Sequence, residues 1–185
     1  MLAAVLVFSA CSFDYGNAET KNEKPDIVMR DVQYVRVRGG DPLVRFEAEY
    51  AERYEEKKLM ILETFSFEQF ENQNEINAAG KAGEASVELD SGNIKLTGGV
   101  HISVESEDVI IETSALNWHD REKQLSGNSG DAVEIFRSDG TGFTGRGFSA
   151  SVRDRTWVFS GGANGVYVDA DDAESAEGES GETEE

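Results

Sequence analysis

Apolar and polar residues alternate along most of the chain between residues 26 and 168. Val87 and Leu89, then Ile94 and Leu96, then Val100 and Ile102 are each separated by one residue. A period of two is typical of a β-strand with one buried and one solvated face. The pattern predicts strand after strand, beginning with residues 27–38, 43–50 and 59–70.

One short phrase occurs three times within this pattern. An apolar residue, Ser or Thr, and Gly stand at Leu96-Thr97-Gly98, Leu125-Ser126-Gly127 and Phe159-Ser160-Gly161. The copies are 29 and then 34 residues apart. A period of this length predicts stacked supersecondary units, each of them a small meander.

Turn residues separate the predicted strands. Clusters of Gly, Asn, Asp, Ser and Pro at residues 39–42, 72–74, 90–93 and 138–140 predict turns, because these residues tolerate positive φ or bond their own backbone. Residues 47–58 contain good helix formers, but their apolar stripe is too thin for a packed helix. We therefore predict a strand that continues into a charged turn.

These elements predict an all-β fold with glycine corners, since the chain has nineteen glycines and two prolines. Two architectures fit: a closed sandwich or barrel with a solid core, and an open, twisted antiparallel jelly roll with an apolar trough. Large apolar residues are spread over the whole length of the chain. A continuous apolar interior follows in either case.

The two ends differ in composition from this domain, which we place at residues 26–168. Residues 1–11 are apolar and end in Ser9-Ala10-Cys11, like a lipoprotein signal peptide with a lipidated cysteine. A truncated membrane anchor and an unmodified Cys11 are the alternatives. Residues 12–25 have no periodicity and predict a tether, and residues 169–185 predict a disordered acidic tail.

The charge of the chain excludes some partners. The formal net charge is −20, and the tail contributes nine of the acids without any base. A nucleic-acid-binding protein needs a positive surface, so we expect no nucleic-acid partner.

No motif indicates catalysis or a cofactor. Residues 140–145 match the dinucleotide fingerprint G-x-G-x-x-G, but a strand rather than a helix is predicted after them, and we interpret the glycines as a hairpin and a corner. His101 and His119 lie in the polar phase and are expected to face solvent. No set of residues has metal-ligand spacing, so no metal site is predicted.

Three segments of the domain resemble the LptC family, the periplasmic component of the lipopolysaccharide export ABC transporter. They are the glycine turn of residues 89–100, the I-x-T-x-x-L-x-W motif of residues 111–118, and the closing G-x-G-F-x-A and W-x-F-x-G motifs of residues 145–161. The resemblance implies an open jelly roll, without enzymatic activity, that takes the acyl chains of lipopolysaccharide or a related glycolipid into its trough. It also implies a periplasmic location, anchored to the inner membrane through lipidated Cys11 or an N-terminal anchor. Family members usually begin with a membrane-spanning helix, which the lipoprotein-like start does not match.

The resemblance implies two partners and two kinds of site. The protein would receive lipid from the inner-membrane ABC transporter and pass it to the next periplasmic jelly-roll bridge protein, using exposed strand edges. The expected trough residues are Val44, Phe46, Ile76, Val87, Ile94, Leu96, Ile102, Ile111, Leu116, Phe148, Trp157 and Phe159. The expected edge residues are Val32, Tyr34 and Val35 on the transporter side, and Val166 and Val168 on the bridge side.

Two other functions are alternatives to lipid transport. A structural or adhesive surface lipoprotein would have a solid core and no cargo. An enzyme acting on cell-wall glycans would need a cleft with two carboxylates of perturbed pKa, and no such pair can be located in the sequence.

Overall fold

Antiparallel strands form nearly all of the described chain. The computed structural model describes residues 24–71 and 75–169. A single 3-10 turn, Glu105–Glu107, accompanies the strands. The strands are β1 Ile27–Arg38, β2 Asp41–Tyr54, β3 Leu59–Glu71, β4 Glu75–Glu88, β5 Ile94–Val104, β6 Val109–His119, β7 Gln124–Gly127, β8 Ala132–Phe136, β9 Gly142–Arg146, β10 Phe148–Ser151, β11 Thr156–Phe159 and β12 Ala163–Val166.

The sheet is a meander that divides into two branches after β6. Strands β1 to β6 pair in sequence order, and β6 pairs with both β7 and β8. The branch from β7 continues to β10 and β11, and the branch from β8 continues to β9 and β12. The pairs β7/β8, β9/β10 and β11/β12 are therefore three long strands, each interrupted once.

A row of backbone irregularities crosses the sheet at the level of these interruptions. Asp31 on β1, Thr64 on β3 and Gly98 on β5 have φ between 50° and 79°, and Gly147 separates β9 from β10 with φ 64°. The buried positions confirm an inserted residue: Leu62 and Phe65 are three apart, although a regular strand buries every second residue. The inserted residues bend each long strand.

The bend divides the sheet into two half-sheets. The first half-sheet contains β7, β10 and β11 with the adjoining segments of β1 to β6, and the second contains β8, β9 and β12 with the remaining segments. Trp157 is paired with Ala150, which is seven residues from Phe143 and would lie about 23 Å away along a straight strand. The ring centroids of Trp157 and Phe143 are nevertheless 5.4 Å apart. At this edge, the two half-sheets therefore face each other.

A second contact joins the outer ends of the half-sheets. Arg155, in the turn between β10 and β11, approaches Glu107 in the 3-10 turn between β5 and β6, with 3.9 Å between the guanidinium and carboxylate groups. The surfaces that face each other form one apolar core. Its buried members are Ala48, Ala51, Leu62, Phe65, Ala82, Ala85, Leu96, Val100, Ile102, Ile111, Leu116, Val133, Ile135 and Phe148.

The repeated phrase has a common structural position. Leu96 to Gly98 lies on β5, Leu125 to Gly127 ends β7, and Phe159 to Gly161 ends β11 and leads to the bend. These are alternate long strands, and in each the phrase stands where the strand leaves the first half-sheet. The repeating unit is thus one hairpin, in agreement with the predicted meanders.

Most predicted elements are confirmed, with small changes at their ends. Residues 47–54 belong to strand β2 and are followed by a turn at residues 55–58, as predicted. The predicted break at residues 39–42 is shorter, because β2 already begins at Asp41. The strand predicted after residues 140–145 is β10, which ends at Ser151. The predicted turn at residues 72–74 lies outside the described residues.

The sheet is open, which decides between the two architectures. In the described part of the chain, β1 pairs only with β2, β11 only with β10, and β12 only with β9. No strand pairing closes the space between β1 and the last strands. The jelly-roll prediction is therefore confirmed, and the closed barrel is not.

Candidate functional site

The predicted trough residues lie mostly in the apolar space between the half-sheets. Several are buried members of the core, and the others pack against it from partly buried positions. The predicted residues found in this interior are Phe46, Val87, Ile94, Leu96, Ile102, Ile111, Leu116, Phe148 and Phe159.

Three predicted trough residues have other surroundings. Val44 is half-buried on β2, outside the core, and Trp157 is 44% exposed at the edge of the sheet. Ile76 pairs with Phe70, whose ring is 5.3 Å from the guanidinium of Arg45 on the outer face. A register shift between Gln69 and Phe70 moves Ile76 to that outer face, where it is 42% exposed. Ile76 therefore lies on the face opposite the trough in which we expected it.

Small residues line the interior along its central strands and were not among the predicted site residues. Ala51 and Ala85 are fully buried, and Ala48 and Ala82 are nearly so. On each side of the bend they follow the same alternation as their large neighbours. The alternation in the sequence could therefore have identified them as interior residues. Because they are small, they fill less of the interior than bulky side chains would.

Aromatic residues concentrate near the two open edges. A row of rings runs inward from β1, from Tyr34 to Phe46, Phe65 and Phe67, with centroids 6.0, 5.7 and 6.3 Å apart. Phe67 lies over Gly80 of β4, where an added Cβ would be 2.5 Å from the ring. A second row lies beside β11 and β12. Both ends of the interior therefore have large, rigid apolar surfaces.

The two edges carry the predicted docking residues in different ways. Val32 packs against the core. Tyr34 stacks on Phe46 but is 53% exposed, and Val35 is 40% exposed. On the other edge, Val166 is 64% exposed. Val168 follows the end of β12, and its backbone N–H donates to Thr141 Oγ1 at 3.1 Å. Val168 is thus attached to the β8–β9 turn and does not extend the edge strand.

Two surface depressions lie elsewhere. One of about 360 Å³ is on the outer face of the second half-sheet, lined by Arg45, Glu47, Glu68, Lys81 and His101 among others. The other, about 490 Å³, lies among charged residues of the β2–β3 and β4–β5 turns. Both are lined mainly by charged and polar side chains.

The histidines make polar contacts on the outside of the sheet. His101 Nδ1 lies 3.0 Å from Glu112 Oε1, and His119 Nε2 lies 3.0 Å from Ser126 Oγ. Within residues 24–71 and 75–169, no group of three or more His, Cys, Asp and Glu side chains is arranged to hold a metal.

The carboxyl groups whose pKa is lowered stabilise turns and the outer face. A hydrogen bond from Lys123 is the main cause that lowers the pKa of Asp120. The backbone N–H of Thr141 lowers the pKa of Asp139, and the hydroxyls of Tyr54 and Tyr50 lower that of Glu52. Each of these carboxylates is held in its charged form by donors, as expected of structural acids rather than of a general acid.

Comparison with known proteins decides the family. The family model described as "Lipopolysaccharide-assembly, LptC-related" matches residues 1–168. The chain belongs to this LptC family. The sequence resemblance is thereby confirmed over the whole jelly roll. A comparison with curated protein sequences found no match.

A solved structure has a fold similar to that of this LptC-family chain. LptH of Pseudomonas aeruginosa, described as an LptA-homologous periplasmic component of the lipopolysaccharide transport device, has a TM-score of 0.53 and 8% sequence identity. The alignment covers 68% of this chain and 95% of LptH. At this identity the comparison supports the jelly-roll fold alone. Among the described residues, no helix has the length and hydropathy to cross a membrane, and Cys11 lies outside them.

Proposed function

We propose that this LptC-family chain is a periplasmic lipopolysaccharide transport protein that holds the acyl chains of its cargo between its two half-sheets. The observation that carries the proposal is the apolar interior, which continues from the open edge at β1 to the open edge at β11 and β12. We name lipopolysaccharide as the cargo because the family is one of lipopolysaccharide assembly. A related glycolipid would have the same acyl chemistry.

The energetics of such binding need no charged partner. Each CH₂ group removed from water contributes about 0.8 kcal/mol, so several acyl chains bind firmly through burial alone. The chains must take the place of contacts between side chains that now face each other, which requires the half-sheets to separate. The bend across the strands supports this, because a bend allows such movement. The small side chains of the buried alanines on the central strands would leave room for acyl chains between the separated half-sheets.

Docking at the two edges follows from the same architecture. Edge strands with unpaired backbone groups normally invite aggregation, and proteins keep them exposed where they accept another strand. We assign the β1 edge to the ABC transporter and the β11–β12 edge to the next jelly roll of the bridge. Lipid would then move between troughs placed end to end, with energy supplied by the transporter's ATPase.

The first experiment compares two charge substitutions at adjacent positions of β2. Phe46 packs against the core, and Glu47 is exposed on the opposite face. The full chain is purified from its native envelope, and co-purifying lipids are identified by mass spectrometry. We expect stoichiometric glycolipid on the wild-type protein and on Glu47→Arg. Phe46→Arg should lose it, because its charge would be buried without a partner.

Thermal unfolding of both variants separates a binding defect from a folding defect. A folded Phe46→Arg protein with full lipid content would contradict the proposal that the interior binds the acyl chains. A wild-type protein that is stably folded but contains no lipid would favour a surface lipoprotein with a solid core.

A further inference from the structure

Four aromatic side chains form a continuous row at the β11–β12 edge, which we call the aromatic clasp: Phe148, Phe159, Trp157 and Phe143. Ring centroids are 5.6 Å apart for Phe148 and Phe159, 5.6 Å for Phe159 and Trp157, and 5.4 Å for Trp157 and Phe143. Phe148 is 2% exposed and Trp157 is 44% exposed. The aromatic clasp therefore connects the deepest part of the interior with solvent.

The last contact of the aromatic clasp joins the two half-sheets. Trp157 belongs to β11 in the first half-sheet and Phe143 to β9 in the second. Both point inward, since Trp157 is paired with Ala150 and Phe143 with the buried Ile135. Their rings thus meet across the interior, at the edge where a neighbouring trough would begin.

Glycines position the two phenylalanine rings that flank Trp157. An added Cβ on Gly145 would lie 2.6 Å from Cγ of Phe159, and one on Gly165 would collide with Cδ1 of Phe143. The rings lie directly over the backbone of neighbouring strands and have no room to move towards it. Trp157 has no such support beneath it.

The attachment of Trp157 is weak in two further respects. It lies on a four-residue edge strand that pairs only with β10 among the described strands. Its indole N–H has no hydrogen-bond partner in the described part of the chain, whereas Nε1 of Trp118 donates to Asp120 at 3.2 Å. The Trp157 ring contacts the rings of Phe143 and Phe159, and these contacts can break without disturbing the β-ladder.

We propose that Trp157 is a gate residue: its contact with Phe143 closes the interior at the β11–β12 edge, and acyl chains leave past it when the contact opens. The inference rests on the proposed lipid transport and specifies where the cargo leaves. The row from Phe148 to Trp157 offers an acyl chain an unbroken apolar path outward. The chain would slide along ring surfaces, and water would reach it only beyond Trp157.

Fluorescence quenching tests the position of the gate. The chain has two tryptophans, so Trp118→Phe leaves Trp157 as the only one, and Trp157→Phe leaves Trp118. The probe is 9,10-dibromostearate, whose bromine atoms quench tryptophan on contact, with unlabelled stearate as the control ligand. We expect Trp157 to lose most of its emission with the brominated probe and little with stearate. Trp118 shares the inward face with Ile94, but its indole N–H is bonded to Asp120 just beyond the end of β6, so we expect it to be quenched less.

Release kinetics test the action of the gate. Trp157→Ala should release bound fatty acid roughly two- to ten-fold faster than wild type, the factor that corresponds to the loss of one aromatic contact. The release rate is compared between wild type and variant after both have been loaded with equal amounts of fatty acid. Tyr167→Ala, which removes an exposed ring beyond β12, serves as the matched control and should release at the wild-type rate.

The outcomes distinguish the gate from the transport function. If equilibrium dialysis detects bound probe while Trp157 stays bright, or if Trp157→Ala releases at the wild-type rate, the gate is refuted and lipid binding stands. If neither dibromostearate nor native glycolipid binds the wild-type chain, both the gate and the proposed function are refuted.

Discussion

Contacts between an aromatic ring and a glycine on another strand recur in the interior of this jelly roll. Phe67 lies over Gly80, Phe159 over Gly145, and the ring of Phe143 against Gly165. A glycine in a strand weakens the local packing, and an aromatic side chain placed over it restores buried surface. None of these three glycines has a positive φ. They are therefore required for the space above the backbone and not for its conformation.

Gly145→Ala should destabilise the fold by about 1–3 kcal/mol, the usual cost of adding a methyl group to a packed site. The new Cβ would stand 2.6 Å from Cγ of Phe159 and 2.9 Å from the carbonyl oxygen of Gly162. The carbonyl oxygen of Gly162 is a backbone atom, so it can move away only if the chain at the bend moves as well. Gly130→Ala is the matched control, because its Cβ would meet nothing within 4 Å. Urea unfolding of both variants is the measurement, and equal midpoints would contradict the steric argument.

Asp139 organises the β8–β9 turn to which Val168 is attached. Its Oδ1 accepts the backbone N–H of Thr141 at 2.7 Å, and this bond lowers the pKa of the Asp139 carboxyl. The hydroxyl of the buried Thr141 in turn accepts the N–H of Val168. A single carboxylate thus supports the point from which the acidic tail leaves the domain.

The stabilisation by Asp139 should depend on pH. A carboxylate whose pKa is lower in the folded state stabilises the fold at pH values above its unfolded pKa, near 4, and loses this effect as pH falls through the folded pKa. Asp139→Asn keeps an acceptor oxygen without the charge. We expect wild type to be more stable than Asp139→Asn at pH 7 and the difference to disappear in acid. A difference that stays constant down to acid pH would rule out the charge as the cause, and Asp90→Asn controls for the loss of one acidic residue.

At the scale of the strands, the bend determines which residues point into the interior. Each long strand contributes one segment to each half-sheet. The inserted residue at the bend shifts the alternation of inward-pointing and outward-pointing side chains by one position. On β4 this change separates the buried pair Ala82 and Ala85 by three residues. A single strand can therefore present apolar residues to the same interior from two directions. The first and last strands do this as well, while keeping one side unpaired.

The two edges should contact different proteins in the envelope. A photo-crosslinking residue at Val35 on β1 should capture a component of the transporter, and one at Val166 on β12 a bridge protein, because strand addition brings a partner backbone to an open edge. Lys95 is exposed on β5, which has neighbours on both sides, and is the control position. Mass spectrometry identifies the adducts. Equal capture from Lys95, or one shared partner for both edges, would contradict the assignment of the edges.

The whole molecule has one interior, although its sheet divides into two branches. The buried residues of both half-sheets form a single core, and Arg155 and Glu107 bring the ends of the half-sheets together. Neither half-sheet has a second layer of its own. A half-sheet alone would expose its apolar face to water, so each depends on the other for stability.

Global unfolding should accordingly be one cooperative transition. Trp118 on β6 and Trp157 on β11 are reporters at different places in the first half-sheet. In the variants Trp157→Phe and Trp118→Phe, tryptophan emission should follow the same urea dependence as far-ultraviolet circular dichroism measured on the same sample. Fluorescence and circular dichroism midpoints that differ within one variant would indicate that the branches unfold separately.

The sequence alone determined the elements of this protein and its family. Alternation and turn chemistry are local properties, which is why β1 has its predicted bounds and residues 47–54 form a strand despite their helix formers. The tertiary structure decided how these strands face one another. A register shift moved Ile76 to the outer face, and the bend brought Phe143 to Trp157. An inserted residue reverses the face of everything beyond it, and its effect depends on the neighbouring strand as much as on its own sequence.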